Sequence, residues 1–462
     1  MFAEHPVLDE LGGLFTAAGQ ELYLVGGSVR DALLGRASTD LDFATSARPQ
    51  EVLQIAEGWA EATWGAGLEF GTVGISRHGV RLEITTYRAD RYDRISRNPE
   101  VTYGDSLIDD LARRDFAVNA MAVSVPGHEF VDPYDGRHDL QTRTLRTPGA
   151  PEDSFADDPL RMLRAARFVA QLGFTPDQTV IAAMTAMAEQ IDRITAERVQ
   201  AEFSKLLSGA HPRAGLQLFV ETGLAERIMP ELPAMKMTID EHHQHKDVYR
   251  HSLTVLEQAI ALEDSGPDLV LRMAALLHDI GKPGTRRHEP GGGVSFHHHE
   301  VVGAKLARKR LRALKYSKDF TEDVARLVFL HLRFHGYGRG EWTDSAVRRY
   351  VTDAGELLPR LHKLVRSDCT TRNRRRAAML SATYDALEER IEVLRNQEEL
   401  DRIRPDLDGN EIMRLLNIPP GPLVGRAYKH LLALRMEHGP QEHDDVVAEL
   451  KRWAAENGIE GT

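Results

Sequence analysis

The sequence predicts an α+β protein, with a β-sheet and its helices in the first ~150 residues and an almost wholly helical remainder. Strand-like runs are confined to the front, where LYLVGG, LDFAT, FGTVGIS and VRLEITTYR show β-rich, period-two character. From Pro151 onward the apolar spacing turns helical, as in DPLRMLRAARFVAQLGF and ERVQAEFSKLLSGA. A chain of 462 residues also exceeds a single core, so several domains are expected. The changes of pattern divide it into 1–150, 151–238, a histidine-rich 239–375 and a helical 376–462 that carries no readable motif.

The apolar share of 42% and charged share of 28% are ordinary for a globular chain. Cys369 is the only cysteine, which excludes an internal disulfide and a thiolate metal cluster. No apolar run reaches the roughly 18–20 residues of a membrane span. The acidic start MFAEHPVLDELGG lacks the layout of a signal peptide, and a cytoplasmic protein is expected. The net charge of -12 argues against a nucleic-acid partner only on average. Val302–Lys318 holds seven basic residues and no acid, and Arg360–Arg376 holds seven against the single Asp368. Local patches set phosphate affinity, although either stretch alone is equally a solvated helix face.

VGGSVRDALLG places Gly26 and Gly27 at a strand end, just before a helix start. Glycines allow close backbone approach, and the N–H groups of a first helical turn can hold phosphate oxygens. Arg30 adds a fixed cation. Alone, such a pair is more often a tight turn. Ten residues on, STDLDFAT sets Asp40 and Asp42 on one face of a strand. Glu83 in RLEITTYR offers a third acid from another strand, unless it pairs with Arg88. Like charges this close call for a cation between them. Convergent carboxylates beside a triphosphate clamp suit metal-assisted nucleotidyl transfer, with Mg²⁺ as the expected ion. A turn or capping role would explain one aspartate but not both.

These residues carry a family resemblance. GGSVRD-x-L-L-G followed by DLD resembles the catalytic signature of the class II nucleotidyltransferases, the CCA-adding tRNA enzymes and bacterial poly(A) polymerases. LARRDFAVNAMAV resembles the family's RRDFT-x-NA block, DPYDGRHDL its D-x-x-x-G-x-x-DL turn, DDPLRMLRAARF its EDxxR helix, and ERVQAEFSKLL the helix after it. The motifs follow in the family's order over roughly the first 235 residues. The resemblance implies a mixed-sheet catalytic head, a helical neck, tRNA as partner, and CTP and ATP as substrates. It further implies that Asp40 and Asp42 hold the metal, that Gly26, Gly27 and Arg30 hold the triphosphate, that Arg113 and Arg114 brace the nucleotide, and that Asp115 supports the acids. Asp157 stands where the family has Glu, and Ala117 where it has Thr.

The EDxxR block gives Asp158 and Arg161, with Arg164 and Arg167 following at three-residue steps along one helical ridge. Cytosine and adenine both pair an exocyclic amino donor with a ring-nitrogen acceptor. A carboxylate and a guanidinium match that pattern, whereas guanine and uracil turn a carbonyl toward the carboxylate. Without the upstream motifs, an ordinary surface helix with ion pairs would be the simpler reading. The segment from Arg88 to Asp105 resembles the flexible loop of complete CCA-adding enzymes. Poly(A) polymerase shares the head motifs and stays open.

A second constellation comprises His251, the pair His278–Asp279 with Lys282, the run His297–His299, His331, His335 and Asp368. It resembles the HD phosphohydrolase superfamily, with His251, His278, Asp279 and Asp368 filling the signature and His299 and His331 standing where two-metal members place further ligands. Imidazole and carboxylate together suit a divalent transition metal or Mg²⁺. His297 and His298 are indistinguishable from loop residues. Three functions compete: CCA addition, poly(A) addition, and phosphohydrolysis with a non-catalytic head.

Overall fold

The computed structural model describes residues 5–36, 40–68, 71–88, 103–237, 247–290, 294–334, 342–371, 373–398 and 403–459. The chain forms two compact units, Met1–Pro230 and Glu231–Thr462. Residues 89–102 of the expected flexible loop and His335 lie outside the described residues.

The first unit is built on a seven-stranded sheet of β1 (Leu22–Val25), β2 (Asp40–Thr45), β3 (Ala62–Gly67), β4 (Thr72–Arg77), β5 (Val80–Thr86), β6 (Ala122–Ser124) and β7 (Phe130–Val131). Their order is β3-β4-β5-β2-β1-β6-β7. Only β2 and β5 run parallel, so the sheet is mixed, as the resemblance implied. The parallel pair needs a crossover, which the helix Pro49–Ile55 and the hairpin β3–β4 supply. Period-two alternation buries Leu41, Phe43, Leu82 and Ile84 and leaves Asp42 and Glu83 exposed. Each buried aliphatic contributes about 1.5–3 kcal/mol. Two residues beyond Asp42, Ala44 packs with Leu107 and Leu111 of the helix Leu107–Ala112. That face of β2 is therefore covered at its end and open near its start.

Helices Pro151–Asp157, Leu160–Leu172, Gln178–Met187, Ala196–Leu207, Pro212–Glu221 and Leu224–Ile228 follow the sheet in the first unit. Among the described residues, the regular structure of the second unit is helical apart from the two-residue strands Arg287–His288 and Val294–Ser295. Val248–Ile260, Leu269–Leu277, His299–Ala313, Lys318–Leu330 and Leu358–Ser367 pack together. The helix Arg374–Glu398 follows. Gly409–Leu416, Pro422–His438 and His443–Glu456 then close a separate small core around Leu407, Ile412, Leu431 and Leu450. Among the described residues, no helix is long and apolar enough to cross a membrane.

Candidate functional site

In the first unit the site begins at the turn between β1 and the helix Gly27–Leu33. Gly26 sits at φ 68°, where glycine carries no penalty, and a Cβ there would lie 2.8 Å from Arg114 Nη1. The buried Ser28 hydroxyl accepts the Asp42 N–H at 3.1 Å, which ties the turn to the middle of the acid strand. Asp40 opens β2 opposite Arg81, and Asp42 stands opposite Glu83 in the parallel register. Glu83 thus lies beside Asp42, while Arg88 hydrogen-bonds Thr72 Oγ1 and its backbone N–H reaches Asp110.

An arginine cluster faces the same turn. Arg30 donates to Asn119 Oδ1 at 2.7 Å and to both oxygens of Asp31. The guanidinium groups of Arg30, Arg164 and Arg167 lie 5.3, 5.7 and 4.1 Å from the centre of the buried Phe168 ring. Attraction to the ring face favours such stacking, but three cations repel one another. Asp115 and Glu202 offset that repulsion: Asp115 takes two bonds from Arg164, and Glu202 pairs with Arg167 at 2.7 Å and with Arg164 at 3.4 Å. Burial pushes Arg167 down to about 10, helped by Arg164. It remains a cation at neutral pH. Arg113 and Arg114 both grip the buried Asp110, at 2.9 and 3.0 Å.

Asp115 is held among arginine and amide donors. Its Oδ2 is taken by Arg164 and its Oδ1 by the Asn119 amide and the Phe116 N–H, so it orients the arginines. Burial opposes its ionisation, but Arg164 and Asn119 hold its carboxyl well below the usual carboxylate range. One expectation needs correction: the EDxxR block is not one helix. Pro159 pushes Asp158 into an extended conformation (φ -137°, ψ 99°), so one helix ends at Asp157 and the next starts at Leu160. Asp158 accepts the Leu160 N–H at 3.1 Å and pairs with Arg198 at 2.7 Å. Arg161, nine-tenths buried, donates to Ser154 Oγ at 2.8 Å and to the Arg113 carbonyl at 2.5 Å. Asn119, Asp110, Glu202 and Phe168 were missed, although Asn119, Glu202 and Phe168 stand inside motifs the sequence had singled out.

The second unit brings the histidines together. His251 Nε2 lies 2.8 Å from Asp368 and 3.3 Å from His278 Nε2. Asp279 Oδ2 is 3.2 Å from His278 and 3.6 Å from His251, while its Oδ1 is 3.2 Å from His299 and 3.9 Å from His331. His299 and His331 face each other through Nε2 atoms 3.3 Å apart. Asp279 is thus shared between two ligand groups, His251–His278–Asp279 and Asp279–His299–His331. His278, His299 and His331 each direct Nδ1 at the carbonyl three residues earlier, at 2.9, 2.8 and 2.6 Å. That bond anchors each ring through Nδ1 and turns Nε2 toward the cluster. Paired donors turned on one another beside a buried carboxylate fit a divalent cation. Against the cost of burial, Asp279 and Asp368 draw His278 up to about 10. Burial and the neighbouring His278 push His331 down to about 3. Gly281 of the HDIGK turn permits the close approach, since a Cβ there would lie 2.1 Å from the His299 carbonyl. Lys282 adds an ion pair to Asp279 Oδ2 at 2.9 Å. His297 and His298 are exposed and stand outside both groups.

Comparison with known proteins agrees with this layout. Family models described as the poly A polymerase head domain, a probable RNA- and SrmB-binding site of polymerase A, and the HD domain match residues 22–146, 173–235 and 248–371. An A-adding tRNA nucleotidyltransferase of Deinococcus radiodurans is 33% identical over 441 residues, covering 94% of this chain and 95% of that protein. A CCA-adding enzyme of Lacticaseibacillus paracasei is 44% identical over 238 residues, covering 51% of this chain. The chain spans only 58% of that relative's length. The crystal structure of the Bacillus stearothermophilus CCA-adding enzyme in complex with CTP superposes with a TM-score of 0.70 at 26% identity, covering 98% of both chains. With the near-complete Deinococcus alignment and three domain models in the expected order, the chain belongs to the family of CCA- and A-adding tRNA nucleotidyltransferases that carry a poly(A)-polymerase-type head and an HD domain.

Proposed function

We propose that the chain extends the 3′ end of tRNA with C, C and A from CTP and ATP, without a nucleic-acid template. The observation that carries the reading is the meeting of Asp42, Glu83, Ser28 and the Gly26–Gly27 turn at the open end of β2, with an arginine cluster beside it. Divalent ions held by Asp40 and Asp42, Mg²⁺ in the first instance, would supply charge stabilisation to the attacking and leaving oxygens. The chain's own residues do the rest. The N–H groups following Gly26 and Gly27, with Arg30, hold the triphosphate, and Arg113 and Arg114 brace it from the Asp110 anchor. Asp158 accepts from the exocyclic amino group of C or A, and Arg161, steadied by Ser154 and the Arg113 carbonyl, donates to the ring nitrogen. Arg164 and Arg167 keep the site cationic. In this reading 1–150 is the catalytic head, 151–238 the recognition neck, 239–375 the HD domain and 376–462 a region gripping tRNA, in a protein of the cytoplasm.

In the second unit, His251, His278, Asp279 and Asp368, with His299 and His331, would hold one or two divalent metals and hydrolyse a phosphoester. A bound metal would polarise the phosphoryl oxygen and activate water. The buried, Nδ1-anchored imidazoles keep the donor atoms in place.

A second reading, addition of A alone, is favoured by the near-complete alignment with the Deinococcus protein. Two tRNA transcripts, one ending at the discriminator base and one in CC, separate the readings when given Mg²⁺ with CTP, ATP or both. Addition of two residues with CTP and three with both means CCA addition. Extension of the CC transcript alone, by one A, means A addition. Long ATP-dependent tails would mean poly(A) polymerase, and no extension on either transcript would leave the phosphohydrolase reading.

A further inference from the structure

Arg374, Arg375 and Arg376 open the helix Arg374–Glu398, and all three are exposed. Among the described residues, none has an ion-pair partner. Several other arginines of this unit are tied down: Arg272 to Glu263, Arg310 to Glu231, Arg360 to Asp268 and Arg366 to Asp385 and Glu388. Three cations at a helix N-terminus oppose the macrodipole, and no acid stands in the first turn to compensate. Residues 374–383 include no buried position, so packing does not dictate this sequence either.

The stretch is joined directly to the HD centre. Asp368 contacts His251, and the Thr370 hydroxyl lies 3.3 Å from His251 Nδ1. Asn373 then caps the new helix by accepting the Arg376 N–H at 3.1 Å. Five residues lie between Asp368 and Arg374, and the six steps of chain limit their Cα separation to about 20 Å. Consecutive helical positions fan out by about 100° each, so the three guanidinium groups diverge. A single small phosphate cannot engage them together, whereas successive phosphates of a strand can. Met379, 62% exposed and one turn further on, adds an apolar contact of the kind a base can use.

We propose that Arg374–Arg376 form a landing for an RNA strand whose terminal phosphoester enters the HD centre, making that centre selective for a nucleic-acid end over an isolated phosphoester. The inference rests on the phosphohydrolase reading of the centre. The test uses the full chain loaded with Mn²⁺ or Ni²⁺ and two substrates, bis(p-nitrophenyl) phosphate and an RNA oligonucleotide ending in a 2′,3′-cyclic phosphate. With Arg374→Gln, Arg375→Gln and Arg376→Gln combined, kcat/KM on the RNA should fall at least tenfold, while hydrolysis of the small diester stays as in the wild type. The slope of log kcat/KM against log salt on RNA should become shallower by about 2, from three phosphate contacts at ~0.7 each. An unchanged RNA rate and salt slope would overturn the proposal, as would an equal fall on both substrates. Wild-type hydrolysis of the small diester without the RNA overturns it alone. If the wild type cleaves neither substrate, the phosphohydrolase reading itself falls and takes the proposal with it.

Discussion

Arg164 donates twice to one oxygen of Asp115, from Nε at 2.9 Å and Nη2 at 2.5 Å, and the other Asp115 oxygen accepts the Asn119 amide. Asn119 in turn accepts Arg30. One buried carboxylate therefore couples the helix Leu160–Leu172 to the arginine beside the glycine turn. Removing a buried partner leaves the other charge uncompensated and costs about 3–5 kcal/mol. Glu202 still reaches Arg164 at 3.4 Å, so the low end applies. Asp115→Asn should destabilise the first unit by about 3 kcal/mol, read from the urea midpoint of its transition. An unshifted midpoint would mean the pair contributes nothing net.

The same carboxylate makes an acid limb. Asp115 and Asp110 are both held below their ordinary value of 3.8, against the cost of burial, by Arg164 and by Arg114 with Arg113. A depressed carboxyl contributes stability that is fully present above its unfolded value and is lost as pH falls through the folded one. The first unit should hold its stability down to about pH 5 and lose it progressively below pH 4. Asp115→Asn should flatten that decline, as read by urea unfolding between pH 3 and 6. An equally steep decline in the variant would assign it to other carboxyls.

Much of this site was legible because its motifs are local. The glycine turn, the DLD strand and the HD pair each read correctly as elements, since period two and the glycine-before-helix pattern are fixed by neighbours in sequence. Asp158 was misplaced although the signal was present: Pro159 follows it directly, and a residue before proline leaves the helical region. Asn119 and Asp110 were overlooked because their value lies in partners 89 residues away, at Arg30, or in a buried carboxylate shared by two arginines. The i,i+3 and i,i+4 spacing of Asp110 to Arg113 and Arg114 was legible, but no spacing rule reports the Asn119 contact. The gathering of three guanidinium groups on Phe168 was invisible for the same reason, since Arg30 and Arg167 meet only through the packing of the neck on the head.

Asp42 and Glu83 share a register but not an expected weight. Asp42 is tied by its backbone to Ser28 at the glycine turn, whereas Glu83 stands on the adjoining strand. Outer-shell partners of a metal site typically cost 10–100-fold when removed, and a ligand costs more. Asp42→Asn should therefore lower nucleotide transfer by more than about 100-fold, and Glu83→Gln by about 10-fold. Both are read as single-turnover extension of a tRNA transcript. A fully active Asp42→Asn protein would remove the metal-binding role of β2.

In the proposed reading Asp158 has a structural and a base-selecting role, which substitutions can separate. Its carboxylate caps the helix starting at Leu160 and pairs with Arg198. Loss of such a cap costs about 0.5–2 kcal/mol. Asparagine can also cap, but its amide presents a donor as well as an acceptor, so a base carbonyl is no longer refused. Asp158→Asn should stay folded while incorporating UTP or GTP at least tenfold more readily relative to CTP and ATP. Asp158→Ala should lose both stability and turnover. Unchanged nucleotide discrimination in Asp158→Asn would move base selection away from this residue.

The histidine centre makes the last prediction. Because His278, His299 and His331 are anchored through Nδ1 on backbone carbonyls, their Nε2 atoms point into the cluster before any ion arrives, and an ion must displace the proton that His278 carries there. The shared Asp279 divides them into two groups, so the groups should fill separately. Protein purified with Mn²⁺ or Ni²⁺ should retain two ions per chain beyond those removed by mutating the head acids. His331→Ala should keep one of the two, since His251, His278 and Asp368 lie on the other side of Asp279. Chelation should also lower the melting temperature of the second unit, because an ion bound only by the folded chain stabilises it by about 2.7 kcal/mol at a hundredfold excess over Kd. Metal analysis of the head-acid variant and of its combination with His331→Ala decides the matter. A stoichiometry that is the same in both, or a second unit indifferent to chelation, would show that the facing imidazoles are held by packing and hydrogen bonds alone.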